Sequence, residues 1–395
     1  MTRAEKINVV SLGEVVKFEC GGTPSKAVSA YWNGDIPWAS VKDISGPELS
    51  TTIDYITKEG LANSASRLVP AGNVILPTRM ALGRAAINTI DVAINQDLRV
   101  AYPNRNLDRR YLLWFIISNA RLIESLGLGA TVKGITLDKL RDLQIPLPPL
   151  AEQKRIAAIL DKADAIRRKL QQSLRLSDDF LRSVFLDMFG DPVTNPMGWN
   201  TVELQDAVKK GTIVTYGIVQ AGPEFPGGVP YIRTGDIVDG VIRVDGLRRT
   251  DPSIAKKFDR SKVRTGEIVM SIRATVGTTA VVPAKLDGAN LTQGTARISP
   301  GEQTLLPFLL FYLRSEGVQG WIQKQVKGAT FAEITLGRLR ELPVLIPPIA
   351  NQKRFVAAYE ILETAKAAQQ KQLLDSNNLF SSLQQRAFRA NSNQL

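Results

Sequence analysis

The chain has 395 residues, 44% of them apolar, a formal net charge of +12, a single cysteine and no histidine. That length and apolar share allow two or three domains with ordinary cores and exclude a disordered chain. The lack of histidine excludes Ser-His-Asp triads, imidazole acid/base chemistry and histidine metal ligands. Cys20 cannot form an internal disulfide and, with no histidine to activate it, reads as a packing residue in a reducing compartment.

The N-terminus, MTRAEKINVV, has no apolar signal core, and the longest apolar runs, 112–117 and 308–313, are too short to cross a bilayer. A cytoplasmic protein without a membrane partner is expected. The charge excess is spread as +3 over 1–149, +1 over 150–191, +5 over 192–346 and +3 over 347–395. Two moderately basic domains suit a polyanion, although a pI of 9.7 suits a basic protein with no nucleic-acid role equally well.

Residues 8–20 read as strand and turn. Glycine and proline make 21–46 loop and short strand, and there Lys26 and Lys42 are interleaved with Tyr31, Trp32 and Trp38. That mixture is compatible with nucleic-acid contact; the two tryptophans also read as core. Residues 66–87 read as strand, turn at Gly72-Asn73, strand and a glycine-containing connection. The segment recurs at 261–282 with an offset of 194, which pairs Gly72 with Gly266, Arg79 with Arg273 and Gly83 with Gly277. Arg79 and Arg273 are therefore paired candidates for phosphate or guanine contact, with Arg84 beside them; a structural ion pair in each copy is the other reading.

Asn95-Gln96 corresponds to Thr292-Gln293, and glutamine can read adenine or simply cap a strand. Residues 109–118 and 307–315 read as core helices. The stretches 127–140 and 325–339 carry glycine, threonine and lysine but lack the G-K-[ST] order of a phosphate-binding loop. Nucleotide binding is rejected there, while Lys133 and Lys327 stay candidates for DNA phosphate contact.

Pro146, Pro148 and Pro149 then stop the chain before one long helix that ends at Gly190-Asp191-Pro192. Its apolar stripe is read as Ile156, Ile159, Ala163, Ile166, Leu170, Leu174, Leu181, Val184 and Met188. ITLDKLRDLQIPLPPLAEQKRIAAIL (135–160) is echoed by ITLGRLRELPVLIPPIANQKRFVAAY (334–359) at an offset of 199. A repeat of half the chain means two similar domains, each followed by its own long helix. The linker DPVTNPMGW (191–199) opens the second copy, where 211–240 is read as replacing the GGTPS segment, the frame returning at Gly235-Asp236 against Lys42-Asp43. Arg233 sits beside that point. A basic run follows, Arg248, Arg249, Lys256, Lys257, Arg260, Lys262 and Arg264, and is assigned to a DNA-facing surface.

The second helix shows the stripe Phe355, Tyr359, Leu362, Lys366, Gln369, Leu373, Ser376, Phe380, Leu383 and Ala387, apolar at its ends and polar or small in its middle. Polar seam positions fix register and partner choice. Helices of this length need a partner, and the obvious one is the other copy, packed antiparallel as a spacer of roughly 55–60 Å at about 1.5 Å per residue.

GGTPSK…YWNGDIPWASVKDI, LVPAGNVIL, ITLDKLRDLQIPLPPLAEQKRIAAILDKAD and MFGDPVTNPMGW resemble the specificity subunit of type I DNA restriction-modification systems, over essentially the whole chain. The second copy departs from the pattern, with Asn351 in place of glutamate and VAAYEILETA in place of IAAILDKADA. The resemblance implies an α+β fold: two similar target-recognition domains of mixed α/β structure (1–147 and 191–346) joined by two long antiparallel coiled-coil helices (148–190 and 347–395), an internal pseudo-two-fold repeat. It implies a non-catalytic reader of a bipartite site in double-stranded DNA. The helices would dock two methyltransferase subunits, and motor-nuclease subunits would join them. S-adenosylmethionine, ATP and Mg would belong to those partners, and this chain would hold no cofactor. Pro149, Gln153, Arg155, Ile159, Pro348, Gln352 and Arg354 are the candidate partner-binding residues. The competing reading is a coiled-coil scaffold that pairs other subunits without reading DNA.

Overall fold

The computed structural model describes residues 8–129, 132–328 and 332–388. The chain divides into two compact units, 8–171 with 371–388, and 172–328 with 332–370. Each unit therefore takes in part of both long helices, Leu150–Phe189 and Ile349–Phe388.

In the first unit a five-stranded sheet runs in the order Val16–Cys20, Leu98–Pro103, Val74–Pro77, Ala86–Asn88, Glu48–Leu49, antiparallel except for its last pair. Val74–Pro77 is buried at all four residues, as a central strand should be. A four-stranded sheet runs in the order Asp54–Ile56, Trp32–Ala39, Val92–Ile94, Arg67–Val69. Trp38 is core, 5% exposed, and Trp32 meets it edge-on at 5.2 Å. Cys20, by contrast, is exposed on the edge strand Val16–Cys20, which corrects its reading as a packing residue. The helix Arg109–Ser118 buries every residue from Tyr111 to Ile116, because Asp108 caps it and its sequence is apolar all round.

The second unit repeats the plan with shorter strands. Its four-stranded sheet is ordered Thr215–Tyr216, Thr295–Ile298, Ile268–Ser271, Thr279–Val281, and Val229–Ile232 lies between Arg249–Thr250 and Asn290–Leu291. The frame match at Asp43 and Asp236 reappears as geometry: the Ser40 N–H donates to the Asp43 carboxylate at 2.8 Å and the Arg233 N–H to that of Asp236 at 2.8 Å. The match also begins earlier than the sequence suggested. Gly21 and Gly217 each lie so close to a carbonyl, of Ile94 and Leu291 respectively, that a Cβ would collide with it. The 211–240 segment thus keeps the glycine of the GGTPS entry rather than replacing it.

Each unit is closed by pairing its first strand with its last, Val9–Ser11 with Gln144–Pro146 and Thr201–Glu203 with Pro343–Leu345, just before a long helix departs. Within the first unit Arg167 reaches Asn377 (2.8 Å) and lies over the Phe380 ring (4.3 Å), and Phe380 packs on Trp114 (5.5 Å). Within the second, Lys366 bridges Asp178 (2.7 Å) and Glu363 (2.9 Å), the Gln369 amide donates to the Ser173 hydroxyl (3.0 Å), and Phe355 packs on Phe185 (5.4 Å). In the first unit Ile156 and Leu160 also share a pocket with Leu383 and Ala387, so in each unit partners rise along one helix as they fall along the other, and the segments pack antiparallel.

The stripe read on Ile349–Phe388 is buried or half-buried throughout. On Leu150–Phe189 seven of the nine stripe residues are buried or half-buried, while Ile159 is 36% and Ile166 55% exposed. Gln153, Ala157, Leu160, Asp164, Phe185 and Phe189 are buried beside the stripe, and the two polar ones, Gln153 and Asp164, are positions that a pattern built on apolar residues passes over. No helix among the described residues is long and apolar enough to cross a membrane, and no described cluster of acidic or cysteine side chains could hold a metal ion.

Candidate nucleic-acid interface

The same small construction stands in both units. In the first, the strand Val74–Pro77 runs on to Arg79 and Met80. The Thr78 N–H donates to Asp97 O (2.8 Å), the Met80 N–H to Lys133 O (2.9 Å) and the Ile135 N–H to Thr78 O (2.9 Å), while Leu128 and Gly134 exchange two hydrogen bonds of 2.8 Å. In the second, the Ile272 N–H donates to Gly294 O (2.8 Å), the Ala274 N–H to Ala332 O (2.9 Å) and the Ile334 N–H to Ile272 O (3.0 Å), while Lys327 and Glu333 exchange bonds of 2.9 and 3.0 Å. An arginine is thereby held between a strand-end turn (97 or 294) and a bridged loop (128–134 or 327–333).

The residue after each arginine is not glycine, yet both are left-handed: Met80 at φ 65° and Ala274 at φ 59°. Such a conformation costs about 1 kcal/mol or more and persists where surrounding bonds impose it. Here the N–H bonds to Lys133 O and Ala332 O do so, and they turn the tip outward. Met80 is 59% exposed and Ala274 is exposed. Behind each tip a glycine permits close packing: a Cβ at Gly83 would strike Ala120, and one at Gly277 would strike Gln319.

The paired candidates Arg79 and Arg273 therefore occupy equivalent tips. Each also has a carboxylate neighbour, Asp97 at 3.8 Å and Glu333 at 2.9 Å. Lys133 and Lys327 are exposed on the same loops, but they are not counterparts; Lys133 matches Ala332, and Lys327 matches Leu128. Of those two loops, residues 130, 131 and 329–331 lie outside the described residues. The GGTPS segment comes to the same place in the first unit, since the Gly22 N–H donates to Ile94 O (3.0 Å) and the Thr23 hydroxyl bonds the Gln96 side chain.

The remaining DNA candidates are more dispersed. Lys26 and Lys42 are exposed, and Arg84 donates to Ile44 O at 3.3 Å. Arg233 is 38% exposed and is bonded to Asp236 at 2.8 and 3.0 Å. Arg248 and Arg249 are both exposed, and Arg249 donates to Gly228 O at 2.8 Å. Lys262 and Arg264 in the same run pair with Asp259 and Asp287.

At the helix starts, Pro149, Pro348, Arg155 and Arg354 are exposed. Arg155 is bidentate to Glu152 at 2.7 and 2.7 Å, and that pairing holds the Glu152 carboxyl below its usual range. Arg354 has Asn351 in the equivalent place and forms no such pair among the described residues. Gln153 and Gln352 do not face a partner: both are 0% exposed. Gln153 accepts from the Asp108 N–H (2.8 Å) and donates to Asn106 O (2.9 Å) and Pro148 O (2.8 Å). Gln352 accepts from the Leu305 N–H (2.9 Å) and donates to Gln303 O (2.8 Å) and Pro347 O (2.9 Å). Their partners are backbone groups of their own units, so their assignment as partner contacts is corrected to that of internal clamps.

Twin sets of strand-end turn, hairpin tip and bridged loop, one in each unit, define a chain built as two copies of one module. The chain belongs to the type I restriction modification DNA specificity domain family, whose sequence profile matches residues 4–176 and 196–375. It is 29% identical over 289 residues to the EcoBI specificity subunit of Escherichia coli, a match covering 66% of this chain and 61% of that subunit. It is 33% identical over 171 residues to the EcoR124I/EcoR124II specificity subunit of the same organism, covering 42% of each. These matches therefore span less than two thirds of either relative. The crystal structure of the type I system S subunit from M. genitalium covers 98% of both chains at a TM-score of 0.58 and 13% identity, a likeness of fold.

Proposed function

We propose that this chain is the non-catalytic DNA-recognition subunit of a type I restriction-modification enzyme in the cytoplasm. Target-recognition domains at 1–147 and 191–346 each read one half of a bipartite site in double-stranded DNA. The long helices, at 148–190 and 347–395, set the spacing of the halves and dock two methyltransferase subunits, with motor-nuclease subunits completing the assembly. S-adenosylmethionine, ATP and Mg are used on those partners. The observation that carries this reading is the duplicated arginine tip, built to one plan in both members of a DNA-specificity repeat. Two linked weak readers gain affinity through effective concentration when the spacing fits.

The test is a modified-base map of DNA from a methylation-free host expressing the chain with its modification subunit. A bipartite motif methylated in both halves is expected, and complex formation with no modified motif would overturn the reading. In the same assay Arg79→Ala is expected to relax one position of one half-site and Arg273→Ala one position of the other. Loss of a bidentate guanine contact is worth about 1–3 kcal/mol of discrimination. Inserting one helical turn into either long helix is expected to change the number of unspecified bases between the halves, leaving the halves themselves unchanged.

A further inference from the structure

The two arginine tips differ in one systematic way. In the first unit the strand-end turn supplies the acid, Asp97, and the bridged loop has glycine, Gly134. In the second unit the turn has glycine, Gly294, and the loop supplies the acid, Glu333. The equivalence is set by backbone bonds, because Thr78 and Ile272 donate to Asp97 O and Gly294 O, and Gly134 and Glu333 hold the same bridging position. The loop lysine changes sides as well, from position 133 in one copy to the position of Leu128, Lys327, in the other. Each tip keeps one carboxylate, and the flank that provides it is exchanged.

Arg79 is 65% exposed and Asp97 13%, at 3.8 Å, while Arg273 and Glu333 are 38% and 40% exposed. An ion pair whose members reach solvent, as in the second unit, contributes at most about 1 kcal/mol. A carboxylate beside a DNA-facing arginine also repels phosphate, so charge alone would select against it. What a carboxylate does supply is direction. A guanidinium offers five donors in a rigid plane, and binding one edge of that plane fixes where the other edge points. Arg273 gives Nη2 to Glu333 at 2.9 Å, whereas Arg79 faces Asp97 at 3.8 Å as an ion pair without a hydrogen bond.

We propose that Asp97 and Glu333 are positioning residues for base readout: each orients its hairpin arginine, and the exchange of flank aims the two arginines differently, so that the two domains read different half-sites. The proposal rests on the reading of these arginines as DNA contacts. Either flank can reach the arginine. A Cβ at Gly134 would lie 3.4 Å from Arg79 Cγ, and one at Gly294 would lie 3.8 Å from Arg273 Cβ. Neither glycine has a positive φ, so an acidic side chain is sterically admissible at Gly134, whose nearest neighbours stand at ordinary contact distance.

The experiment is the same modified-base map, with the full chain and its modification subunit, for Asp97→Gly, Asp97→Asn and the double variant Asp97→Gly/Gly134→Glu. Asp97→Gly and Asp97→Asn are expected to make one position of one half-site degenerate, with discrimination there falling about tenfold, and to leave the other half-site and the thermal unfolding midpoint unchanged. The double variant, which gives the first unit the acid placement of the second, is expected to restore a single preferred base at that position. An intact motif in both Asp97 variants, while Arg79→Ala is degenerate, would sink this proposal and spare the DNA-contact reading. A double variant as degenerate as Asp97→Gly would also sink it. An intact motif in Arg79→Ala would overturn the contact reading and this proposal together.

Discussion

Phe185→Ala is expected to lower the stability of the second unit by about 3–5 kcal/mol, the range for deleting a buried phenylalanine. Phe185 is 1% exposed, and its ring lies 5.1 Å from Phe189, 5.8 Å from Phe308, 5.0 Å from Phe311 and 5.4 Å from Phe355. Rings at such separations add to the apolar area they bury, and four of them cannot all move into one vacated volume. The cluster ties the end of Leu150–Phe189 to the start of Ile349–Phe388 and to the core helix Leu306–Arg314. The damage should therefore spread to the seat of the Arg273 tip. Phe180 is the internal control: it lies on the same helix but is 57% exposed, and Phe180→Ala should change stability by no more than about 0.5 kcal/mol. Denaturant unfolding of both variants checks the contrast. Equal midpoints would mean that the cluster does not hold the helix to the unit.

That contrast marks the boundary of what the sequence made legible. Phe180, Phe185 and Phe189 are one residue type on one helix, and only contact with a second element separates the exposed one from the other two. Periodicity located both long helices, and the offset repeat identified two modules, because the proline stop, the glycine stop and the paired segments are local signals. The seam of Ile349–Phe388 was readable for the same reason, since its apolar ends set the phase. The seam of Leu150–Phe189 was read except at Gln153 and Asp164, buried polar groups that a hydrophobic pattern has no means of choosing, and at the exposed Ile159 and Ile166. Cys20 was placed inside on residue type, whereas its strand lies at a sheet edge, a fact of pairing order.

The candidate interface divides along the same line. Arg79 and Arg273 were found because the repeat aligned them. Their acidic partners were missed because Asp97 and Glu333 occupy different places in the repeat and meet the arginines only through folded backbone. A signal existed: each copy has a glycine exactly where the other has its acid, Gly134 against Glu333 and Gly294 against Asp97. Aligning the copies residue by residue across the turn at 97 and the loop at 134 would have shown it. The early glycine of the second copy, Gly217, escaped for a related reason. The carbonyl that demands it, Leu291 O, is distant in sequence.

The two buried glutamines give the other large expected effect. Gln153→Glu and Gln352→Glu change one group each, from NH2 to oxygen, in side chains of nearly the same shape. The donor of Gln153 serves Asn106 O and Pro148 O, and that of Gln352 serves Gln303 O and Pro347 O. A carboxylate would turn an acceptor toward two buried carbonyls. A protonated acid would satisfy only one of them. Leaving a buried polar group unpaired costs about 1–3 kcal/mol, and more where charge is involved, so each variant should lose about 3 kcal/mol or more. Because the two clamps share one geometry, the losses should be similar, and Gln153→Leu should match them, since it abandons the Asp108 N–H as well. Each clamp joins the first turn of a long helix to the entry of its unit's core helix, so its failure would free the helix start from the module. Unfolding midpoints of the isolated chain measure this directly. If the glutamines served a partner instead, those midpoints would stay at the wild-type value and only assembly with the modification subunit would suffer.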